Sequence, residues 1–346
     1  MVRPVRSTLA LALLVLVSRP SFLMAQSKPD SVTLSGVMYA QYMYGLRDPD
    51  GSGHANNFDV TRTYLNVLGK FSGGVSSRVT ADIHRTSDGS LTYRLKYGFV
   101  AWQPKGSALT YKFGLWETPY VSYAEGLWDY RMQGPIAPDR AGYLSSSDFG
   151  IGAEGSWDGN AVTMSAGVFN GEFYSKAPGD QHKDVEARLS VRVAKSDDGG
   201  KFGGLRLTGF ALVGQPTGGG VRNRFLGQVS YRSKAVTLAG TLLATGDRLD
   251  ADPLLPPTTH GRILSAMGVY RIPASKFALI GRVDSHDPDT STPDNGLTRF
   301  IAGVSYQLSS HLRLLGDVDH TSYQATPAAA IDRVRSQALF QIQMVF

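Results

Sequence analysis

The sequence predicts an all-β protein, a transmembrane antiparallel β-barrel of about sixteen strands. Three observations carry this reading. Apolar residues recur at every second position in segment after segment, which is the period of a strand and not of a helix. The connections alternate between short and long, so one end of the barrel is trimmed and the other elaborated. The closing stretch S-Q-A-L-F-Q-I-Q-M-V-F (336–346) puts Ala338, Phe340, Ile342, Met344 and Phe346 on one face, with Gln337, Gln341 and Gln343 on the other. A sheet with an oily side in lipid has to close, because lipid cannot satisfy the peptide groups of an open edge.

Composition agrees. The 346 residues include 39 Gly, 16 Tyr and 15 Phe but no Cys, which excludes a disulfide scaffold, CxxC redox chemistry and a lipidated N-terminal Cys. Arg3 and Arg6 precede the apolar run Leu9 to Val17, and Ala25 precedes Gln26. This pattern predicts a signal peptide over 1–25, leaving 26–346 as one barrel domain. The run is far shorter than the ~20 apolar residues a spanning helix needs. Its removal takes three of the 35 Lys+Arg and no acid, so 32 cations face 29 Asp+Glu and the balance falls from +6 to +3. Such a weak balance excludes a polycationic, nucleic-acid-binding surface.

The alternation begins at Val32–Tyr44, where Val32, Leu34, Met38, Ala40, Tyr42 and Tyr44 share a face. In Phe58–Phe71, Leu65, Val67 and Phe71 read outward, and Arg62, Tyr64, Asn66 and Lys70 inward. Val75–Arg85 sets Val79, Ala81 and Ile83 against Arg78, Asp82 and His84. Leu91–Trp102 sets Leu91, Tyr93, Leu95, Tyr97 and Phe99 against Arg94 and Lys96; Leu109–Leu115 sets Tyr111, Phe113 and Leu115 against Lys112. After a long interruption the pattern resumes at Phe149–Trp157 and Val162–Asn170, then continues through nine further segments to the end. Links such as Ser72–Gly74, Asp158–Asn160 and Ser233–Ala235 are short, and Ala194–Phe202 is a longer Gly/Asp-rich turn of the same series. Longer loops fall between them, and the third, Pro119–Asp148, is the longest. Its aromatic and apolar content argues for a folded loop, which we expect to turn into the lumen.

Inward positions of such a barrel line the lumen. Six cations on the first strands, Arg62, Lys70, Arg78, Arg94, Lys96 and Lys112, face a single inward acid, Asp82. Rings of Arg and Lys favour anions in pores, whereas mixed charges merely keep a lumen wet and brace its wall. The candidate lumen residues are therefore Arg62, Tyr64, Arg78, Arg94, Lys96 and Lys112, with Arg131 and Arg140 of the third loop as candidate eyelet residues. No metal or cofactor set is expected. Asp48–Gly53 opens like a calcium loop but lacks the later acid, and Ser285–Gly296 reads as an acidic turn. Asp317, Asp319 and His320 suggest hydrolase chemistry, but the alternation puts His320 on the opposite face from both acids.

Four stretches carry a family resemblance: F-D-V-T-R-T-Y-L-N-V-L-G-K-F (58–71), K-F-G-L-W-E-T-P-Y (112–120), D-F-G-I-G-A-E-G (148–155) and S-A-G-V-F-N-G-E (165–172). The chain resembles the phosphate-selective porin O/P family of bacterial outer-membrane porins. Arg62 matches one of the clustered arginines of that family's second strand; Thr63 and Tyr64 replace its neighbours. The resemblance implies a sixteen-stranded trimeric pore with an inward third loop, short periplasmic turns and long outer loops. The closing strand likewise resembles that of outer-membrane barrels, which implies that Phe346 is an assembly signal for the barrel-assembly machinery. The expectation is a porin in outer-membrane lipid, passing small hydrophilic solutes with a mild preference for anions, phosphate among them. The rivals are an outer-membrane enzyme and a structural or adhesive barrel with a plugged lumen.

Overall fold

The structure is a computed structural model that describes residues 28–48, 50, 54–177, 179–249, 258–325 and 332–346. The predicted signal peptide and most of the Asp48–Gly53 motif lie outside the described residues.

Sixteen strands pair in chain order into a closed antiparallel barrel, as the sequence predicts. They are β1 (Ser31–Arg47), β2 (Asn56–Phe71), β3 (Val75–Arg85), β4 (Leu91–Trp102), β5 (Leu109–Glu117), β6 (Ser147–Trp157), β7 (Val162–Phe169) and β8 (Asp184–Ala194). The second half comprises β9 (Gly204–Gly214), β10 (Val221–Arg232), β11 (Val236–Arg248), β12 (Thr259–Arg271), β13 (Phe277–Asp287), β14 (Leu297–Gln307), β15 (Leu312–Tyr323) and β16 (Val334–Val345). The outer face is apolar and exposed, for example at Leu65, Phe113, Ile151, Val185 and Phe225. That is the inversion expected of a protein whose outer solvent is hydrocarbon.

The barrel closes where β1 meets β16. Gly36 N–H donates to the Phe346 carbonyl at 2.8 Å, and Phe346 N–H donates back at 3.1 Å. The Phe346 ring covers Gly36 so closely that a Cβ there would lie 2.3 Å from the ring and 2.6 Å from the Tyr64 carbonyl oxygen. Only glycine leaves room for both.

One expectation about facing is corrected. Tyr97 and Phe99 read as outward, but the β3–β4 register slips so that Thr80 pairs Tyr97 while Ala81 pairs Leu95. The extra residue is Lys96, and this β-bulge reverses the facing of the residues that follow it. Tyr97 is consequently buried, and the Phe99 ring lies 5.0 Å from the Lys112 ammonium inside the wall. Strict alternation cannot foresee a bulge.

The hydrophobic core is inside the barrel. Residues 118–146 enter the lumen as two short helices, α1 (Val121–Trp128) and α2 (Ala137–Arg140), joined by irregular chain. Tyr120, Val121, Ala124, Ile136 and Ala137 pack on the inward Phe210, Leu212, Leu226, Leu243 and Ile263 of β9–β12. Trp128, Tyr130 and Met132 pack on Val269, Ala278, Ile280 and Leu315 of β12–β15. The third loop therefore covers one wall of the barrel, where inward positions are apolar, and on the β2–β5 wall Arg62 and Arg94 stay partly exposed to the lumen. The turn after β8 also reaches inward: the Phe202 ring lies tilted against Tyr123, with centroids 5.3 Å apart, and close to Gly126 of α1.

Gly36→Val is expected to weaken the seam by about 1–3 kcal/mol, the usual cost of overpacking. A lowered urea midpoint and earlier loss of the compact band in unheated electrophoresis would register it; an unchanged midpoint would refute the close seat of Phe346.

Candidate functional site

The inward cations divide into two groups. On the covered wall, arginines hold the third loop by its main chain. Arg188 donates to the Pro119 carbonyl at 2.8 Å, Arg232 to Gly126 at 3.3 Å and Arg313 to Asp129 at 2.7 Å. Arg282 reaches Pro135 at 2.9 Å, and Arg224 reaches Tyr143 at 3.3 Å. Such carbonyls lie at helix ends and turns, where no helical partner exists, and burial removes water as a substitute. Hydroxyls complete the attachment, with Tyr123 bonded to Ser190 at 2.9 Å and Tyr130 to Ser305 at 2.6 Å.

The second group stands on the open wall. Arg78 pairs with Glu117 at 2.6 Å, and Lys112 pairs with Glu117 at 3.2 Å and Glu154 at 3.0 Å, so carboxylates neutralise both. Arg62, Arg94 and Lys96 differ. Arg62 bonds the Tyr64 hydroxyl and lies 4.8 Å from that ring. Arg94 donates to the Tyr174 hydroxyl at 2.7 Å, while the Lys96 ammonium bonds Ser146 and sits 3.6 Å from the Tyr174 ring. Among the described residues none of these three forms an ion pair within 4.0 Å. Phenol rings and hydroxyls thus fix three cations in place without cancelling their charge. Asp82, cross-strand from Arg94, is the acid built into this wall.

The third loop faces them with charges of its own. Arg131 is paired with Glu125. Burial, and then Glu125, push the Asp139 carboxyl up, whereas Arg131, Lys96 and Arg62 pull it down, so Asp139 senses both loop and wall. Arg140 does not join this group. It lies over Gly134 and lines a cavity between α2 and the wall with Arg299 and Arg335. Sequence reading missed Tyr174, Ser146 and Glu117. The aromatic pair Phe173–Tyr174 in an otherwise polar loop is the one local signal for the first.

A family model described as "Gram-negative porin" matches residues 10–326. The chain belongs to the Gram-negative porins. Its fold is similar to the anion-selective porin from Comamonas acidovorans, at 12% identity and a TM-score of 0.71, covering 91% of this chain and 99% of that one. It is also similar to OmpT of Vibrio cholerae, at 11% identity and TM-score 0.64 over 91% and 97% of the two chains. Salmonella typhi OmpF gives 11% identity and TM-score 0.65 with the same coverage. Among curated proteins none matches. The barrel is accordingly that of an outer-membrane channel.

In this porin three of the four stretches noted in the sequence meet at Trp116. Its ring is fully buried inside the wall, and a Cβ on Gly152 or Gly167 would fall 2.6 or 2.7 Å from it. Gly150 makes the same room for Phe169, whose ring centre is 4.9 Å from that of Trp116. The glycines of D-F-G-I-G-A-E-G and S-A-G-V-F-N-G-E thus form a flat seat for the tryptophan of K-F-G-L-W-E-T-P-Y. The seat lies where β5 turns into the third loop, next to Glu117, and so fixes the loop's point of entry.

Trp116→Ala is expected to cost about 3–5 kcal/mol in urea unfolding, as buried aromatic truncations do. Arg313→Met, which strands the Asp129 carbonyl, is expected to cost about 1–3 kcal/mol and to make the open-channel current noisier. Open-channel currents with wild-type noise would show that Arg313 does not restrain the loop.

Proposed function

We propose that this porin is a passive diffusion channel for small hydrophilic solutes with a preference for anions, phosphate among them. The observation that carries the reading is the trio Arg62, Arg94 and Lys96, held by Tyr64, Tyr174 and Ser146 and free of carboxylate partners. An anion passing that wall exchanges part of its hydration for the partly exposed Arg62 and Arg94, Lys96 adds its charge from within the wall, and the third loop opposite sets the size limit. Arg78 and Lys112 contribute less, because each already has a carboxylate. Porin family and fold support a channel without catalysis. The similarity to an anion-selective porin supports the sign of the preference, and one similar structure, Vibrio cholerae OmpT, is described as a trimer. A homotrimer in outer-membrane lipid, with Phe346 addressing the assembly machinery, fits this reading.

A second reading, a structural barrel with a plugged lumen, is favoured by the tight packing of Leu127, Trp128 and Tyr130 across the interior. Single-channel recording separates the two. The first reading expects discrete steps, an anion-selective reversal potential in a KCl gradient and block by phosphate. A unit charge at about 4 Å is worth about 1 kcal/mol in water and more where water is thinned. Lys96→Gln combined with Arg94→Gln is therefore expected to lower the anion-to-cation permeability ratio by about fivefold or more. Steps with unchanged selectivity would remove the trio from the mechanism, and a folded barrel without steps would leave the plugged reading.

A further inference from the structure

The cavity lined by Arg140 lies behind the third loop, away from the Arg62–Arg94–Lys96 wall. It has a volume of about 200 Å³ and is bounded by α2 on one side and by β12–β16 on the other, near their loop ends. Arg140, Arg299 and Arg335 converge on it, together with Thr321 and Tyr323.

The charges around this cavity do not balance. Asp284 is taken by Arg282, at 2.6 Å and 2.9 Å, and Arg299 is paired with Asp319 through one nitrogen. His286 is occupied by the Tyr143 hydroxyl at 3.1 Å. Among the described residues Arg140 and Arg335 have neither an ion pair nor a side-chain hydrogen bond. Nη1 of Arg140 and Nε of Arg299 are buried with no partner at all. A guanidinium removed from water and left unpaired is costly, and the planar donor edges of arginine match oxyanions in a bidentate manner. Asp284, in the lining, and Asp319, the partner of Arg299, already have guanidinium partners, so neither is the missing acceptor of Arg140 or Arg335.

We propose that this cavity is a second, off-axis binding site for a small oxyanion, a phosphate or a short carboxylate, held between Arg140 of the third loop and Arg335 and Arg299 of the wall. The volume fits: water takes about 30 Å³ per molecule in the liquid, so the space admits phosphate or a short dicarboxylate but no bulky organic anion. The Thr321 and Tyr323 hydroxyls supply further donors. An occupant ties α2 to β14 and β16, adding an anion-dependent attachment to the fixed ones made by Arg282 and Arg313. The site is independent of which ion the pore prefers.

The test is isothermal titration calorimetry of the full chain in detergent with inorganic phosphate and, separately, malonate, at constant ionic strength set with chloride. One saturable site per chain is expected. Arg335→Gln, at the half-exposed rim, and Arg140→Gln are each expected to weaken it by about tenfold or more, the size of one lost charge-assisted hydrogen bond. Lys96→Gln is expected to leave it unchanged while still altering selectivity in the bilayer. Absence of saturable binding, or binding unaffected by both arginine variants, overturns the site. Binding abolished by Lys96→Gln assigns the anion to the pore wall and overturns it equally.

Discussion

Five guanidiniums on one wall, each donating to a main-chain carbonyl of the third loop, decide how the interior is divided. A membrane barrel spends its outward apolar residues on lipid, so the usual core is not available to hold a loop in place. The loop must be held by the inward face, where the neighbours are wet or charged. Arginine suits this role because its long side chain carries a donor fork that reaches carbonyls with no helical partner. The same attachments put an apolar patch inside the barrel, with Leu243 and Ile263 wholly buried against α1 and its neighbours. Hydrogen bonding and apolar packing here need each other. Without the patch the carbonyls would be hydrated, and without the arginines a buried loop would leave them unpaired.

Covering one wall exposes the other, and this asymmetry gives the lumen its charge. The covered wall has more arginines than the open one, but their charge is directed into the loop's carbonyls and neighbouring acids. On β2 and β4, Arg62, Arg94 and Lys96 are instead braced by phenols and a serine hydroxyl. An aromatic ring or hydroxyl holds a cation with little loss of its field, whereas a carboxylate at 3 Å cancels most of it. Counting inward Lys and Arg, or the net charge, therefore says little about what an ion meets. What matters is the chemistry of each cation's partner.

Much of this was legible in the sequence, and the exceptions have physical causes. Strand number, loop–turn alternation and the inward loop follow from period, turn chemistry and composition, all of which are local. The wall that receives the loop was also written locally: L-R-L-T-G-F-A-L-V and F-A-L-I-G-R-V are apolar on both faces, which lipid alone does not require. Two things were not legible. A bulge adds one residue without changing composition, so Tyr97 and Phe99 read as lipid-facing until the β3–β4 register is known. Pairing between distant residues is also silent, so Arg62 and Arg78 look alike although one meets Tyr64 and the other Glu117. The separation of Arg131 from Arg140, nine residues apart on one loop, depends on how the chain folds between them.

The bulge itself connects fold to site. With strict pairing, Lys96 would alternate with Tyr97, and the ring would face lipid. The added residue instead turns both Lys96 and Tyr97 inward, where both are buried. Tyr97 then lies 4.3 Å from the Arg78 guanidinium, which Glu117 also holds, while Lys96 is left to Ser146 and Tyr174. Ser146 ends the third loop and Tyr174 belongs to the next one, so both partners of Lys96 depend on where the third loop leaves the wall. That exit is set by the strand pair β5–β6, and hence by the Trp116 seat on Gly152 and Gly167. The cation buried deepest in this wall, Lys96, is thus aimed by a one-residue irregularity and held by two loops that the glycine seat positions.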